Sequence, residues 1–334
     1  MDLRFAFRRY SLPFRAPVRN GHGIWPERQG LYVRIEDADG RVGFGEAAPV
    51  PGFGSETVDA DEAFCAALGD TVDAGVLARI PAGLDSLRGA LAVAGGRHQP
   101  APRHASLGVA ALLPAGVRAL EESGPKADAG FRVFKWKVGV GDARDEMGIL
   151  DDLLGRLPSG SRLRLDANGA WDRRTAERWL DRAAGLPVEF VEQPVSGGSQ
   201  SSRDLLRGLA ADYPTPIALD ESIASDADVA LWIDAGWQGF FVVKPSLLGD
   251  AAAALERLAA VNARVVFSSA LETALGARSG LAFAFAWPGA ACALGFGVWP
   301  LFSDPRFDGP FSGPFLHHAD VERINPEALW SALN

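Results

Sequence analysis

From residue 104 onward, eight short apolar runs of β-strand length alternate with Ala/Leu/Arg-rich segments of helical length. The runs are His104–Ala111, Phe131–Val138, Arg162–Ala167, Val188–Glu192, Pro216–Asp220, Gly239–Lys244, Arg264–Ser269 and Ala291–Leu294. Between them lie helical stretches such as Arg174–Ala184, Ser202–Ala211, Asp226–Ala235 and Ala251–Ala260. Continuously apolar strands are buried on both faces, and their alternation with helices marks a parallel sheet. Eight such units in roughly two hundred residues favour a closed β/α barrel. An open doubly wound sheet is the alternative, but no GxGxxG stands at a strand–helix turn to support a dinucleotide site.

The first hundred residues follow a different rhythm. Leu31–Ile35 alternates, runs into the turn Asp37-Ala-Asp-Gly40, and is followed by Arg41–Glu46, which predicts a hairpin. Ala47–Gly54 reads as a Pro/Gly loop, Ser55 as the cap of a helix through Leu68, and Gly95–Pro102 as a linker.

Composition removes several classes. The chain of 334 residues carries a net charge of -9 with no basic run, which argues against nucleic acid as a partner. Cys65 and Cys292 are far apart and the five His have no zinc-type spacing, so neither a disulfide scaffold nor a Cys/His zinc site is expected. The opening MDLRFAFRRYSLPF lacks the apolar core of a signal peptide, which predicts a cytoplasmic protein. Ser279–Ser303 is free of charge and long enough for a membrane span. However, Pro288, Pro300, Gly280, Gly289, Gly295 and Gly297 interrupt it, and a buried helix plus strand is the better reading.

Chemistry enters with the ionisable residues. Of 33 basic residues, 29 are Arg, and only Lys126, Lys135, Lys137 and Lys244 are Lys. Arg cannot give up its proton in a protein, whereas a buried Lys can. Lys137, Asp166, Glu192, Asp220, Lys244 and Ser268 fall at the ends of consecutive runs, 24 to 29 residues apart. In a barrel, all strand C-termini reach one mouth, where active sites sit. One acid at a strand end can simply cap the next helix. Three on consecutive strands repel each other unless a cation neutralises them, and oxygen-only ligands favour a hard ion, Mg²⁺ above Ca²⁺ or Mn²⁺. Alternation in Phe134-Lys-Trp-Lys-Val138 puts Lys135 and Lys137 on one face, where each is expected to lower the pKa of the other. Lys244 is expected on the opposite rim. Lysines on both sides of a metal-bound carboxylate suit removal of the proton alpha to it.

The set Lys-x-Lys, Asp-x-Asn, Glu-Gln-Pro, Asp-Glu-Ser and Val-Lys-Pro at these spacings resembles the enolase superfamily, in its muconate lactonizing enzyme subgroup. The resemblance covers almost the whole chain. Gly43-Phe-Gly-Glu46, Ala48-Pro-Val-Pro-Gly-Phe53 and Ser55-Glu-Thr57 are similar to the family's capping domain. Arg162-Leu-Arg-Leu-Asp-Ala-Asn168, with Arg164 two before the acid, and Ser268-Ser269 before Leu271-Glu-Thr-Ala-Leu-Gly276 are most similar to the o-succinylbenzoate synthases of menaquinone biosynthesis.

The resemblance implies an α/β fold, a modified TIM-type (β/α)7β barrel with an α+β capping domain. Residues 1–100 would form the capping domain, 101–302 the barrel, and 303–334 a segment returning to the cap. It further implies that Asp166, Glu192 and Asp220 bind Mg²⁺, with Mn²⁺ as a substitute. Lys137 would remove the alpha proton and then protonate the departing hydroxyl. Lys244 would stabilise the enediolate, and Lys135 would support the carboxylate of a small-molecule substrate. Arg164 and Asn168 would be substrate or supporting contacts, and Ser268 and Gly295 would line the far wall. Asn168 and Glu221 have the simpler readings of capping and surface pairing. Arg19 and His22 fall where the family has a loop over the mouth, and an ordinary surface loop is expected there. No His lies between His104 and His317, which removes a mandelate racemase-like base, and Gly295-Phe-Gly297 replaces the Asp-x-Asp of dipeptide epimerases. An N-succinylamino acid racemase or a cycloisomerase with the same lysines and metal remains an alternative, as does a non-catalytic binding barrel.

Overall fold

The computed structural model describes residues 3–20, 23–73, 75–96, 100–310 and 313–333. Four antiparallel strands open the chain: β1 (Leu3–Asn20), β2 (Gly23–Glu36), β3 (Val42–Ala47) and β4 (Thr71–Val72), in the order β3-β2-β1-β4. The predicted hairpin is present, with Leu31 opposite Ala47 and Ile35 opposite Gly43. The segment expected as a surface loop is instead the far end of a second, longer hairpin. There the Arg19 backbone pairs with Ile24 and the Val18 backbone with Trp25, across a register break between Pro13 and Val18. Pairing satisfies backbone groups that a loop would leave to water. His22 lies outside the described residues.

Two helices, Val58–Leu68 and Asp85–Ala94, flank this sheet, and Phe5, Leu31, Val33, Ile35, Cys65, Leu87 and Leu91 form the core between the layers. The first helix starts later than expected. Thr57 is its N-cap, accepting from Ala60 N, while the Ser55 hydroxyl accepts from Val50 N at 2.6 Å and ties the loop back on itself. The second helix lies against β3 because Gly43 and Gly45 carry no side chains. A Cβ at either would meet the carbonyl oxygen of Ala94 or Ala90 at 2.0 Å.

The remainder is the barrel. Strands β6 (Ala111–Leu113), β7 (Val133–Lys137), β8 (Arg162–Asp166), β9 (Val188–Glu192), β10 (Ile217–Leu219), β11 (Phe240–Val243) and β12 (Arg264–Phe267) pair in chain order, all parallel. Single bridges, Val109 with Leu294 and Ser268 with Gly295, join the two ends of the sheet through the eighth run. The first run divides. Its early part is β5 (Ser106–Gly108), antiparallel to β13 (Phe315–His317), and the barrel strand begins only at Ala111. The connecting helices start at side-chain caps from Asp172, Ser199, Ser225 and Asp250. Phe190, Ala218, Phe240, Val242 and Val266 form a compact apolar cluster with partly buried Cys292.

Cap and barrel meet through a buried carboxylate. Glu46 on β3 accepts from Tyr10 OH at 2.6 Å and Thr273 N at 2.9 Å with one oxygen. The other accepts from Thr273 Oγ1 at 2.5 Å and Gly276 N at 2.7 Å. The cap therefore satisfies the free N–H groups that open the barrel helix Ala274–Ala286. This helix holds the start of the charge-free stretch. Among the described residues, no helix is long and apolar enough to cross a membrane. Trp330 also meets the cap: Arg8 donates to its carbonyl at 2.6 Å and lies over its ring, and Phe44 packs against it.

Candidate active site

Strand β7 alternates as its sequence requires. Phe134 and Trp136 are buried, and Trp136 meets Trp179 of helix Arg173–Ala183 edge-on, so Lys135 and Lys137 share the opposite face. Parallel register then places Lys137 beside Asp166 and Asp166 beside Glu192. Asp220 follows β10, and Lys244 follows β11. All three acids are buried, as is Lys244.

The lysines divide the acids between them. Lys135 Nζ lies 2.6 Å from Glu192 Oε1 and 3.0 Å from Asp166 Oδ2. Lys244 Nζ contacts Asp220 Oδ1. Lys137 Nζ contacts Asn168 Oδ1, and Asn168 Nδ2 donates to Glu221 Oε1 at 2.8 Å. Asn168 adopts φ 46°, a left-handed conformation that Asn tolerates better than most residues, and it turns the chain back over the mouth. It joins Lys137 to Glu221, so neither simple capping nor surface pairing describes it.

Electrostatics follow from these contacts. Burial alone lowers the Lys135 pKa, but Asp166 and Glu192 outweigh it and raise the group above its ordinary value. This reverses the expectation that its neighbour Lys137 would depress it. Burial pushes Asp166 up, and Lys135 and Lys137 overcome this and hold it below the usual carboxylate range. Burial brings Lys244 down to about 7, against the pull of Glu192. Glu221 rises to about 7 through burial and the nearby Asp166. Glu272 also rises to about 7 through burial.

The far wall is close-packed. A Cβ at Gly295 would meet Ser268 Oγ at 2.5 Å, so this position takes only glycine without displacing the wall. Arg164, expected as a substrate or supporting contact, has the surroundings of a supporting one. It is 1% exposed, pairs with Glu189 at 2.6 Å, donates to Ala293 O at 2.8 Å, and lies over the Phe190 ring. It braces β8 to β9 and to the eighth run, and one of its η nitrogens has no hydrogen-bond partner among the described residues.

Three contributors were not visible as such in the sequence. The fully buried Gln193 accepts from Asp220 N at 3.0 Å and Ser222 N at 3.2 Å, which fixes the backbone carrying Asp220. Phe53 of the cap places its ring 4.8 Å from Lys244 Nζ. Glu272 accepts from Ser269 Oγ at 2.9 Å and Ala270 N at 2.5 Å, and its other oxygen is buried with no hydrogen-bond partner among the described residues. Each of the three lies in a segment similar to the family, Gln193 in Glu-Gln-Pro, Phe53 in Ala48–Phe53 and Glu272 in Leu271–Gly276, but chain distance gives no sign of the contacts they make.

Asp166, Glu192 and Asp220 supply oxygen only, the donor chemistry of a hard divalent ion. Among the described residues, no three acidic, His or Cys side chains are gathered closely enough to hold an ion as they stand. Lys135 and Lys244 lie against these carboxylates.

Comparison with known proteins agrees with this architecture. The "Enolase C-terminal domain-like" family model matches residues 118–314, and the "MenC, N-terminal domain" model matches residues 4–80. An o-succinylbenzoate synthase from Thermosynechococcus vestitus is 42% identical over 303 residues, spanning 89% of this chain and 92% of that protein. Another, from Edwardsiella ictaluri, is 32% identical over 84% of this chain and 85% of that protein. The crystal structure of o-succinylbenzoate synthase from Thermosynechococcus elongatus BP-1, complexed with Mg in its active site, superposes with a TM-score of 0.81 at 38% identity. It covers 98% of this chain and 99% of that one. The L-Ala-D/L-Glu epimerase of Bacillus subtilis also has a TM-score of 0.81, over 94% of this chain and 95% of that one, but at 22% identity it shares the fold alone. With both family models matched and this level of identity across nearly its full length, the chain belongs to the o-succinylbenzoate synthase family of the enolase superfamily.

Proposed function

We propose that this chain catalyses the Mg²⁺-dependent syn dehydration of 2-succinyl-6-hydroxy-2,4-cyclohexadiene-1-carboxylate to o-succinylbenzoate. The observation that carries the proposal is the row of Asp166, Glu192 and Asp220 at the ends of β8, β9 and β10, flanked by the β7 lysines and Lys244. These acids would hold the ion. When bound, Mg²⁺ supplies Lewis-acid stabilisation of the charge that develops on the substrate carboxylate.

The chain's own groups do the rest. Lys137, oriented by Asn168, removes the proton alpha to the carboxylate, and the same ammonium then protonates the departing hydroxyl on the same face. Lys244 faces the enediolate from the other rim as a compact cation. Lys135, held charged by its acidic neighbours, keeps Asp166 and Glu192 in register and supports the substrate carboxylate. Ser268 and Gly295 close the far side.

The test follows loss of the cyclohexadiene substrate with Mg²⁺, beside deuterium exchange into N-succinylamino acids in heavy water. Rapid dehydration is expected. Exchange without dehydration would replace the lyase with a racemase.

A further inference from the structure

Arg28 lies on β2, in the capping domain, and is 4% exposed. A buried charge is ordinarily paired with an opposite one. Among the described residues no carboxylate pairs with Arg28, and its donors go to backbone carbonyls instead. Within the cap, Nη1 donates to Gln29 O at 3.0 Å and Pro49 O at 2.8 Å, and Nη2 to Ala48 O. Across the junction, Nε donates to Leu271 O at 3.2 Å and Nη2 to Ala270 O at 3.3 Å.

Both sets of carbonyls lead to the candidate site. Ala48 and Pro49 run into the short helix Pro51–Phe53, whose Phe53 ring faces Lys244. Ala270 and Leu271 directly follow Ser268 and Ser269 at the end of β12. Leu271 adopts φ 62°, a left-handed conformation that a Leu keeps only when its surroundings impose it. The surroundings are explicit. Arg28 takes the carbonyls of this rim turn. Glu272 takes its donors at Ser269 Oγ and Ala270 N, and Glu46 takes Thr273 N and Oγ1. The planar five-donor fork of Arg can satisfy carbonyls on two chain segments at once, a geometry that Lys does not reproduce.

We infer that Arg28 is a positioning residue for the dehydration, fixing the cap segment that carries Phe53 and the rim turn that carries Ser268 in one relation around Lys244. The inference rests on the reaction proposed above. It places Arg28 in control of how substrate is held against the far wall and the cap, and leaves the carboxylates on β8, β9 and β10 untouched.

The experiment measures kcat and KM for the dehydration in wild type, Arg28→Lys and Arg28→Met, at a temperature where circular dichroism shows each folded. The rise in Tm with Mg²⁺ is recorded alongside. Misplacement of binding walls by an ångström costs on the order of 10- to 100-fold. KM is therefore expected to rise about tenfold or more in both variants, with a smaller fall in kcat and an unchanged Mg²⁺ response. Kinetic constants within about twofold of wild type in folded Arg28→Lys overturn the inference, as does loss of the Mg²⁺ response. If Arg28→Met does not fold, Arg28→Lys decides alone. A wild type that exchanges N-succinylamino acids without dehydrating sinks the reaction and this inference together. An active wild type with unaltered variants sinks only the role of Arg28.

Discussion

Lys135 and Lys137 are two residues apart on one strand face, yet their environments differ. Lys135 is locked between Asp166 and Glu192 and is held charged, whereas Lys137 meets only the neutral Asn168 in the contacts described. Lys135 is tied to two of the acids, which leaves Lys137, turned towards Asn168, as the β7 amine proposed for the base. Replacing it with Arg keeps the charge and removes a usable base, so dehydration should fall by about 10²- to 10⁴-fold. Activity surviving in Lys137→Arg would return the base assignment to open question. Lys244→Arg should slow exchange of N-succinylamino acids more than dehydration, because only racemisation needs a proton from both faces. The shared face of the β7 lysines was legible in Phe134-Lys-Trp-Lys-Val138, since strand alternation is local. The raised pKa of Lys135 was not, because it depends on how close Glu192 comes from a strand more than fifty residues away. For the same reason Arg164 was readable as a residue pointing inward but not as the partner of Glu189.

At the scale of elements, the first cap helix contains an electrostatic fault. Asp61 is fully buried, and among the described residues neither of its oxygens has a hydrogen-bond partner. Burial, with Glu56 adding to it, pushes its pKa from 3.8 up to about 8. A folded pKa above the unfolded one means the contribution to stability is complete below the unfolded value and lost as pH rises through the folded value. The cap should thus lose stability between about pH 4 and pH 8 through this residue. In Asp61→Asn that component is absent, so the Tm gap between wild type and variant should change by a few degrees across this window. A gap constant from pH 4 to pH 9 would show that Asp61 does not titrate with folding. Elements with strong local signals were readable: the hairpin at Asp37–Gly40, and the Ala/Leu/Arg-rich helices between the barrel strands. The hairpin end around Arg19 was missed although Asn20-Gly21 stands there as a hairpin signal, because the resemblance drew the reading towards a loop over the mouth. The eighth run gave two single bridges rather than a ladder, since Gly295 serves close packing on Ser268.

Across the whole molecule, the cap contributes to the barrel mouth rather than merely covering it. Glu46 caps a barrel helix, Arg28 grips the rim turn, and Phe53 faces Lys244. The barrel class was evident from the repeat of strand and helix, but this dependence was not, since it joins residues more than 190 positions apart. The charge balance at the mouth bears on metal binding. An ion that binds only the folded state raises Tm, by about 2.7 kcal/mol of stability at a hundredfold excess over Kd. Mg²⁺ should therefore raise the melting temperature, EDTA should reverse the shift, and Asp220→Asn should abolish most of it. A wild-type Tm indifferent to Mg²⁺ would remove the metal from the proposed site.

The four lysines have a practical consequence. Lys126 bonds the Leu112 carbonyl and lies 3.3 Å from Glu122, and the other three ε-amines stand at the mouth. Lysine-directed reagents therefore have four side-chain targets, the part-exposed Lys126 and three amines at the mouth that are held by neighbouring side chains. Conjugation through lysine therefore risks the mouth wherever it does not stop at Lys126, and is a poor way to tether the enzyme to a support.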